Sequence, residues 1–146
     1  MNNPPLIIGD SDSLISTLHQ DVHHEEVKEL LRKLSVINAE IYFPAAIVAE
    51  TITTFQRKMS NPSLAEEVVK RLTSDLIAIL PTDKEILQRA STIFKPRGSK
   101  QDTFFDAIVA ATAKKYEATA ILGFDEWYKK QGFTMAGELV ESEETM

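Results

Sequence analysis

The sequence predicts a three-layer α/β/α domain built on a mainly parallel sheet of four to five strands. Four short apolar segments, Leu6-Ile7-Ile8-Gly9, Glu40-Ile41-Tyr42-Phe43, Leu76-Ile77-Ala78-Ile79-Leu80 and Ala118-Thr119-Ala120-Ile121-Leu122, read as brief buried strands. Between them the apolar residues fall at helical spacing, and strands alternating with amphipathic helices make a parallel sheet covered on both faces. The chain has 146 residues, 43% hydrophobic and 26% charged, the length and balance of one globular domain.

Pro4-Pro5 ends an irregular start, and the first strand runs straight into Asp10. Asp12 is placed to cap a helix through Ser13–Leu18. A second helix spans about His24 to Leu34, because Val27, Leu30, Leu31 and Leu34 recur at i, i+3, i+4 and i+7. After the second strand, Pro44 suits the first turn of a helix carrying Val48, Ile52, Phe55 and Met59 on one side. Asn61-Pro62-Ser63 breaks the chain before a helix with the stripe Leu64, Val68, Val69 and Leu72. Pro81 closes the third strand, and Thr82 or Asp83 can cap a helix bearing Ile86, Leu87, Ala90 and Phe94. A basic loop, 95–100, leads to a helix over Thr103–Tyr116 and then to the fourth strand. Asp125 opens a short segment with Trp127 and Tyr128, and Phe133-Thr134-Met135 is expected as a last edge strand.

The absence of cysteine excludes disulfides, thiolate metal sites and cysteine catalysis. The start of the chain lacks the pattern of a signal peptide, and no apolar run approaches the roughly 20 residues that cross a bilayer. A soluble, cytoplasmic protein is expected, with no membrane partner. The net charge of −6 is unevenly spread: Glu138, Glu141, Glu143 and Glu144 lie in the last nine residues, which carry no base. Residues 1–137 are expected to form the single domain, and 138–146 an acidic, mobile tail. Without the tail 18 acids face 16 bases, and setting aside four candidate site acids leaves 14 against 16, a slightly basic body compatible with a phosphodiester substrate.

Those four acids are Asp10, Glu50, Asp106 and Asp125. Each interrupts apolar sequence, as in LIIGD, PAAIVAE, TFFDAIVAA and AILGFD. A carboxylate beside a core is costly to desolvate unless partnered, and few lysines or arginines lie near. A metal ion is the natural counter-charge, and oxygen ligands without His or Cys suit Mg²⁺ or Mn²⁺. Asp10 and Asp125 also follow strands directly, at the sheet edge where ligands bind in such folds.

Here the chain resembles the PIN domains, which include toxin nucleases of VapC type. The resemblance covers nearly the whole chain and rests on Asp10-Ser11-Asp12-Ser13-Leu14-Ile15, Ala45-Ala46-Ile47-Val48-Ala49-Glu50, Phe105-Asp106-Ala107-Ile108-Val109-Ala110-Ala111 and Gly123-Phe124-Asp125, in that order on matching elements. It implies a PIN-like fold and metal-dependent cleavage of RNA, often by a dimer, with Asp10, Glu50, Asp106 and Asp125 as its catalytic and metal-binding acids. It also implies the toxin of a toxin–antitoxin pair, with an antitoxin protein as partner. Two positions depart from the pattern. Gly123 stands where Thr or Ser is common, which removes a group that could order water or phosphate near Asp125. Asp12 replaces a Ser, Thr or Asn, and either adds a ligand or caps its helix.

Lys95, Arg97 and Lys100 are the first choice for phosphate contacts, with Arg57 and Lys58 next. Asp102 is expected at a helix N-cap rather than in the site. His19, His23 and His24 are expected to be exposed and apart from the acids. Phe104, Phe105, Trp127 and Phe133 are expected as core or dimer contacts. Two rival functions are a non-catalytic PIN-like module holding RNA or protein, and a phosphatase of haloacid-dehalogenase type suggested by Asp10-Ser11-Asp12. The latter lacks its late Gly-Asp-x-x-x-Asp motif here.

Overall fold

The structure is a computed structural model that describes residues 3–144. Its elements are β1 (Leu6–Gly9), α1 (Ser11–Leu18), α2 (His24–Val36), β2 (Glu40–Pro44), α3 (Ala45–Thr53), a π-helical turn (Thr54–Lys58), α4 (Pro62–Thr73), β3 (Ile79–Leu80), α5 (Lys84–Ile93), α6 (Phe104–Lys115), β4 (Ala120–Leu122), α7 (Trp127–Lys130) and α8 (Ala136–Glu144). The four strands form one all-parallel sheet in the order β3-β2-β1-β4. The chain moves outward from β1 through β2 to β3, then returns to place β4 on the other side of β1. The crevice between the carboxyl ends of β1 and β4 is therefore a topological switch point, the place where open parallel sheets bind ligands.

Neighbouring strand residues feed opposite faces, as the strand period of two requires. Ile8 and Ile121 pack with Ile47 of α3, Val109 of α6 and Tyr128 of α7. Ile7, Ala120 and Leu122 pack on the other side with Leu34 of α2 and with Ala136 and Val140 of α8. The expected three layers are present. Helix α6 is buried almost all round, because Ala107, Ala110, Ala111 and Ala113 let it approach closely; α5 covers its outer side through Ile86 and Ala90.

Several elements differ from expectation. The third strand is only two residues long, and Leu76 is 71% exposed, since Leu76 follows the turn that ends α4. In α4 the buried residues are Ala65 and Val68, whereas Val69 and Leu72 are exposed. The last edge strand is reduced to one parallel bridge, Ile121 with Met135. The segment expected as a tail from 138 is helical to Glu144, held by the burial of Val140. Residues 145 and 146 of that segment lie outside the described residues. Among the described residues no helix is long and apolar enough to cross a membrane.

Candidate metal centre

Asp10 leaves β1 at the switch point. Its backbone N–H donates to Leu122 O at 3.1 Å, extending the β1–β4 ladder. Its side chain, not that of Asp12, caps α1: Oδ1 accepts from the Ser13 N–H at 2.9 Å. The expected cap at Asp12 is corrected to Asp10, two residues earlier, because Ser11 is already helical and Asp12 lies in the first turn. Asp10 is 3% exposed, and burial pushes its carboxyl up to about 8, assisted by the charges of Asp12 and Asp106.

Glu50 sits on α3, directed into the cluster by the helix that follows β2. Burial raises its affinity for a proton, a hydrogen bond between the Ser11 side chain and the carboxyl offsets part of that rise, and Asp106 and Asp12 add to it. Its Oε1 is buried and has no hydrogen-bond partner. A carboxylate oxygen left so is expensive, and cations are the groups that satisfy it.

Asp106 lies in the first turn of α6, held on both oxygens. Oδ2 reaches back to accept from the Thr103 N–H at 2.9 Å, the capping-box contact of that helix. Oδ1 accepts from the Tyr128 hydroxyl at 3.2 Å. Burial raises Asp106 as well, reinforced by Asp125 and Asp12. Asp125, following β4, accepts from the Trp127 N–H at 2.9 Å and so caps the turn that becomes α7.

Among the described residues, Asp102, Asp106 and Asp125 bring carboxylate oxygens within 4.8 Å of one another, close enough for one cation. Asp102 therefore belongs with the cluster, and Thr103 takes the N-cap position expected of it. Asp10 and Glu50 stand outside that trio but act on Asp106 electrostatically, and Asp12 acts on Asp125. The four candidate acids, Asp12 and Asp102 form one electrostatically connected set.

The structure adds one residue to which sequence reading gave no site role, Tyr128, and gives Gly123 and His23 a place beside the acids. Tyr128 is 0% exposed, and its phenol is pushed well above its ordinary value by burial and by Asp10 and Asp106, so it stays a donor. At Gly123 an added Cβ would stand 2.5 Å from Asp10 Oδ2. His23, expected apart from the acids, stacks on Phe124 with ring centroids 4.0 Å apart and lines a groove with Asp12 and Asp125. None of the three histidines is fully exposed.

Of the candidate phosphate contacts, Lys58 lines a groove with Glu50, Thr103 and Phe105, and its charge lowers Glu50. Lys95 lines a second groove with Asp102 and Thr103. Arg57, Arg97 and Lys100 are exposed. Phe104, Trp127 and Phe133 pack against core, whereas Phe105 is 38% exposed in the groove beside Glu50.

No curated protein matches the chain. Among solved structures it is similar to VapC20 of Mycobacterium tuberculosis, described as a sarcin-ricin loop cleaving toxin, with a TM-score of 0.74 at 16% identity over 88% of this chain and 96% of that one. It is also similar to FitAcB of Neisseria gonorrhoeae, with a TM-score of 0.59 at 23% identity over 82% and 88%. These likenesses show a shared fold. The model of the PIN domain matches residues 7–133, and the chain belongs to the PIN-domain family.

Proposed function

We propose that the chain is a divalent-metal-dependent ribonuclease that hydrolyses RNA phosphodiester bonds and serves as the toxin of a toxin–antitoxin pair. The observation that carries this reading is the buried, unpartnered Glu50 oxygen beside an acid cluster at the sheet's switch point. Membership of a family typical of nucleases supports it, and the description of VapC20 supports the toxin role. Family membership displaces the phosphatase alternative.

Asp106 and Asp125 are the central ligands, joined by Asp102, with Asp10 and Glu50 completing the set from β1 and α3. Oxygen donors of this kind suit Mg²⁺ or Mn²⁺. Such an ion lowers the pKa of a bound water and stabilises charge on a leaving oxygen. The chain's own residues do the rest. Helix α1 and Thr103 fix the carboxylates, while Lys58 and Lys95 stand where a phosphodiester backbone enters on either side. A homodimer and an antitoxin protein are the partners that belong with this reading.

Incubating structured RNAs with purified protein in Mg²⁺, Mn²⁺ or chelator tests the proposal, with Asp10→Asn and Asp106→Asn in parallel. Metal should support cleavage, chelator should abolish it, and each variant should lose about 100-fold or more, at the upper end of what losing a metal site's supporting groups costs. Equal cleavage by the variants, or RNA held uncut in Mn²⁺, overturns it.

A further inference from the structure

Tyr128 is fully buried, its ring packed in the core with Ile8, Val109 and Ile121. A phenylalanine would fill that place equally well, so packing alone leaves the hydroxyl unexplained. A buried phenol needs a polar partner. Here the partners are two carboxylates from separate elements: Asp106 Oδ1 accepts at 3.2 Å, and the same hydroxyl acts on Asp10. The turn that delivers the tyrosine is itself capped by Asp125, through the Trp127 N–H. One four-residue helix thus bears on three acids. Asp125 starts it, and its Tyr128 reaches under the other two.

We propose that Tyr128 is a positioning residue of the acid centre, its hydroxyl fixing Asp106 against Asp10 so that both are set to share a cation. With Oδ2 tied to Thr103 and Oδ1 to Tyr128, Asp106 cannot rotate, and each oxygen keeps a lone pair for a ligand contact. Without the hydroxyl, the carboxylate is free to turn away from its like-charged neighbours. Donors behind metal-binding groups typically govern affinity by this route. The inference rests on the metal-dependent reading, and the test separates the two.

Tyr128→Phe keeps the ring and removes the donor. Mn²⁺ binding is measured without RNA, by calorimetry and by the fluorescence of Trp127, the single tryptophan. Thermal unfolding in chelator is measured alongside. The expected result is Mn²⁺ affinity lower by about 10- to 100-fold, with unfolding in chelator still a single cooperative transition and cleavage restored at high Mn²⁺. Asp106→Asn should abolish the wild-type binding isotherm. Unchanged Mn²⁺ affinity in Tyr128→Phe, while Asp106→Asn loses binding, overturns the role of Tyr128 alone. A wild-type isotherm that Asp106→Asn leaves intact overturns the metal reading and the inference with it.

Discussion

Gly123 and the Asp10 carboxylate compete for the same space, which gives the departure at position 123 a physical reason. Asp10 turns one oxygen to the Ser13 N–H and lays the other where a β-carbon on residue 123 would stand. Any side chain there must push it away. Gly123→Ala should therefore release the α1 cap, costing about 1 kcal/mol in chemical denaturation. Its cleavage of RNA should fall about tenfold or more, as expected when a carboxylate supporting a metal site is displaced. An alanine variant with wild-type stability and turnover would show that Asp10 is not confined by this contact. The four candidate acids stand out in sequence because each breaks an apolar run, where an unpartnered charge is costly to bury. Asp102 does not, since it follows Ser99-Lys100-Gln101 in a polar loop without periodicity. Tyr128 reads in sequence as an ordinary core aromatic, and only the folded position of its hydroxyl reveals another role.

At the level of elements, the helix bearing Glu50 begins without a cap of its own. Pro44 precedes α3 and offers no side-chain acceptor. The orphan N–H of Ala46 is met instead by Thr82 Oγ1 at 3.0 Å, from beyond β3. Thr82 was readable as a cap for the helix that follows it, but Asp83 takes that task, accepting from the Ile86 N–H. Thr82→Ala should cost about 1 kcal/mol, the usual loss for a helix cap, and thermal or urea unfolding checks it. An unchanged unfolding midpoint would mean that water replaces the hydroxyl. The same variant should weaken cleavage, because the first turns of α3 carry Glu50. Such a long-range cap has no local signal, whereas α2, α5 and α6 were found almost to their ends by spacing alone. Helix ends were harder to read for another reason. Asn38, Asp75 and Glu117 adopt positive φ just beyond α2, α4 and α6, positions where glycine usually advertises a stop. The shortness of β3 was equally hidden, because Leu76 and Ile77 have the composition of strand but the pairing with β2 starts only at the Ala78 carbonyl and runs through Ile79 and Leu80.

For the whole molecule, the acid centre sets how stability depends on pH and, under the proposed function, on metal. Asp10 is pushed up to about 8 from an ordinary 3.8, and Glu50, Asp106 and Asp12 move in the same direction, with burial the leading cause in each. Between about pH 4 and pH 8 the folded, metal-free protein keeps a proton on Asp10 that the unfolded chain has released. Stability falls with pH wherever the folded state binds more protons, so raising the pH through this window must cost stability. The exposed pairs of Glu29 with Arg32 and Glu85 with Lys115 have the opposite sign, since their carboxyls are held low; their influence is complete by about pH 5. The window from pH 5.5 to 8 therefore excludes those pairs, and the difference between wild type and Asp10→Asn across it separates Asp10 from the three histidines, a residue type that also titrates in that range. In chelator the melting temperature should drop steadily across it, and Asp10→Asn should flatten the slope. Saturating Mn²⁺ should reverse the trend, because ligands must lose their protons to bind and the ion binds only the folded arrangement. At about a hundred times its dissociation constant, the ion adds roughly 2.7 kcal/mol. Melting curves in chelator that stay level or climb from pH 5.5 to 8 would show that these carboxylates are ionised without any cation, and with that the physical case for a metal at this edge of the sheet would be gone.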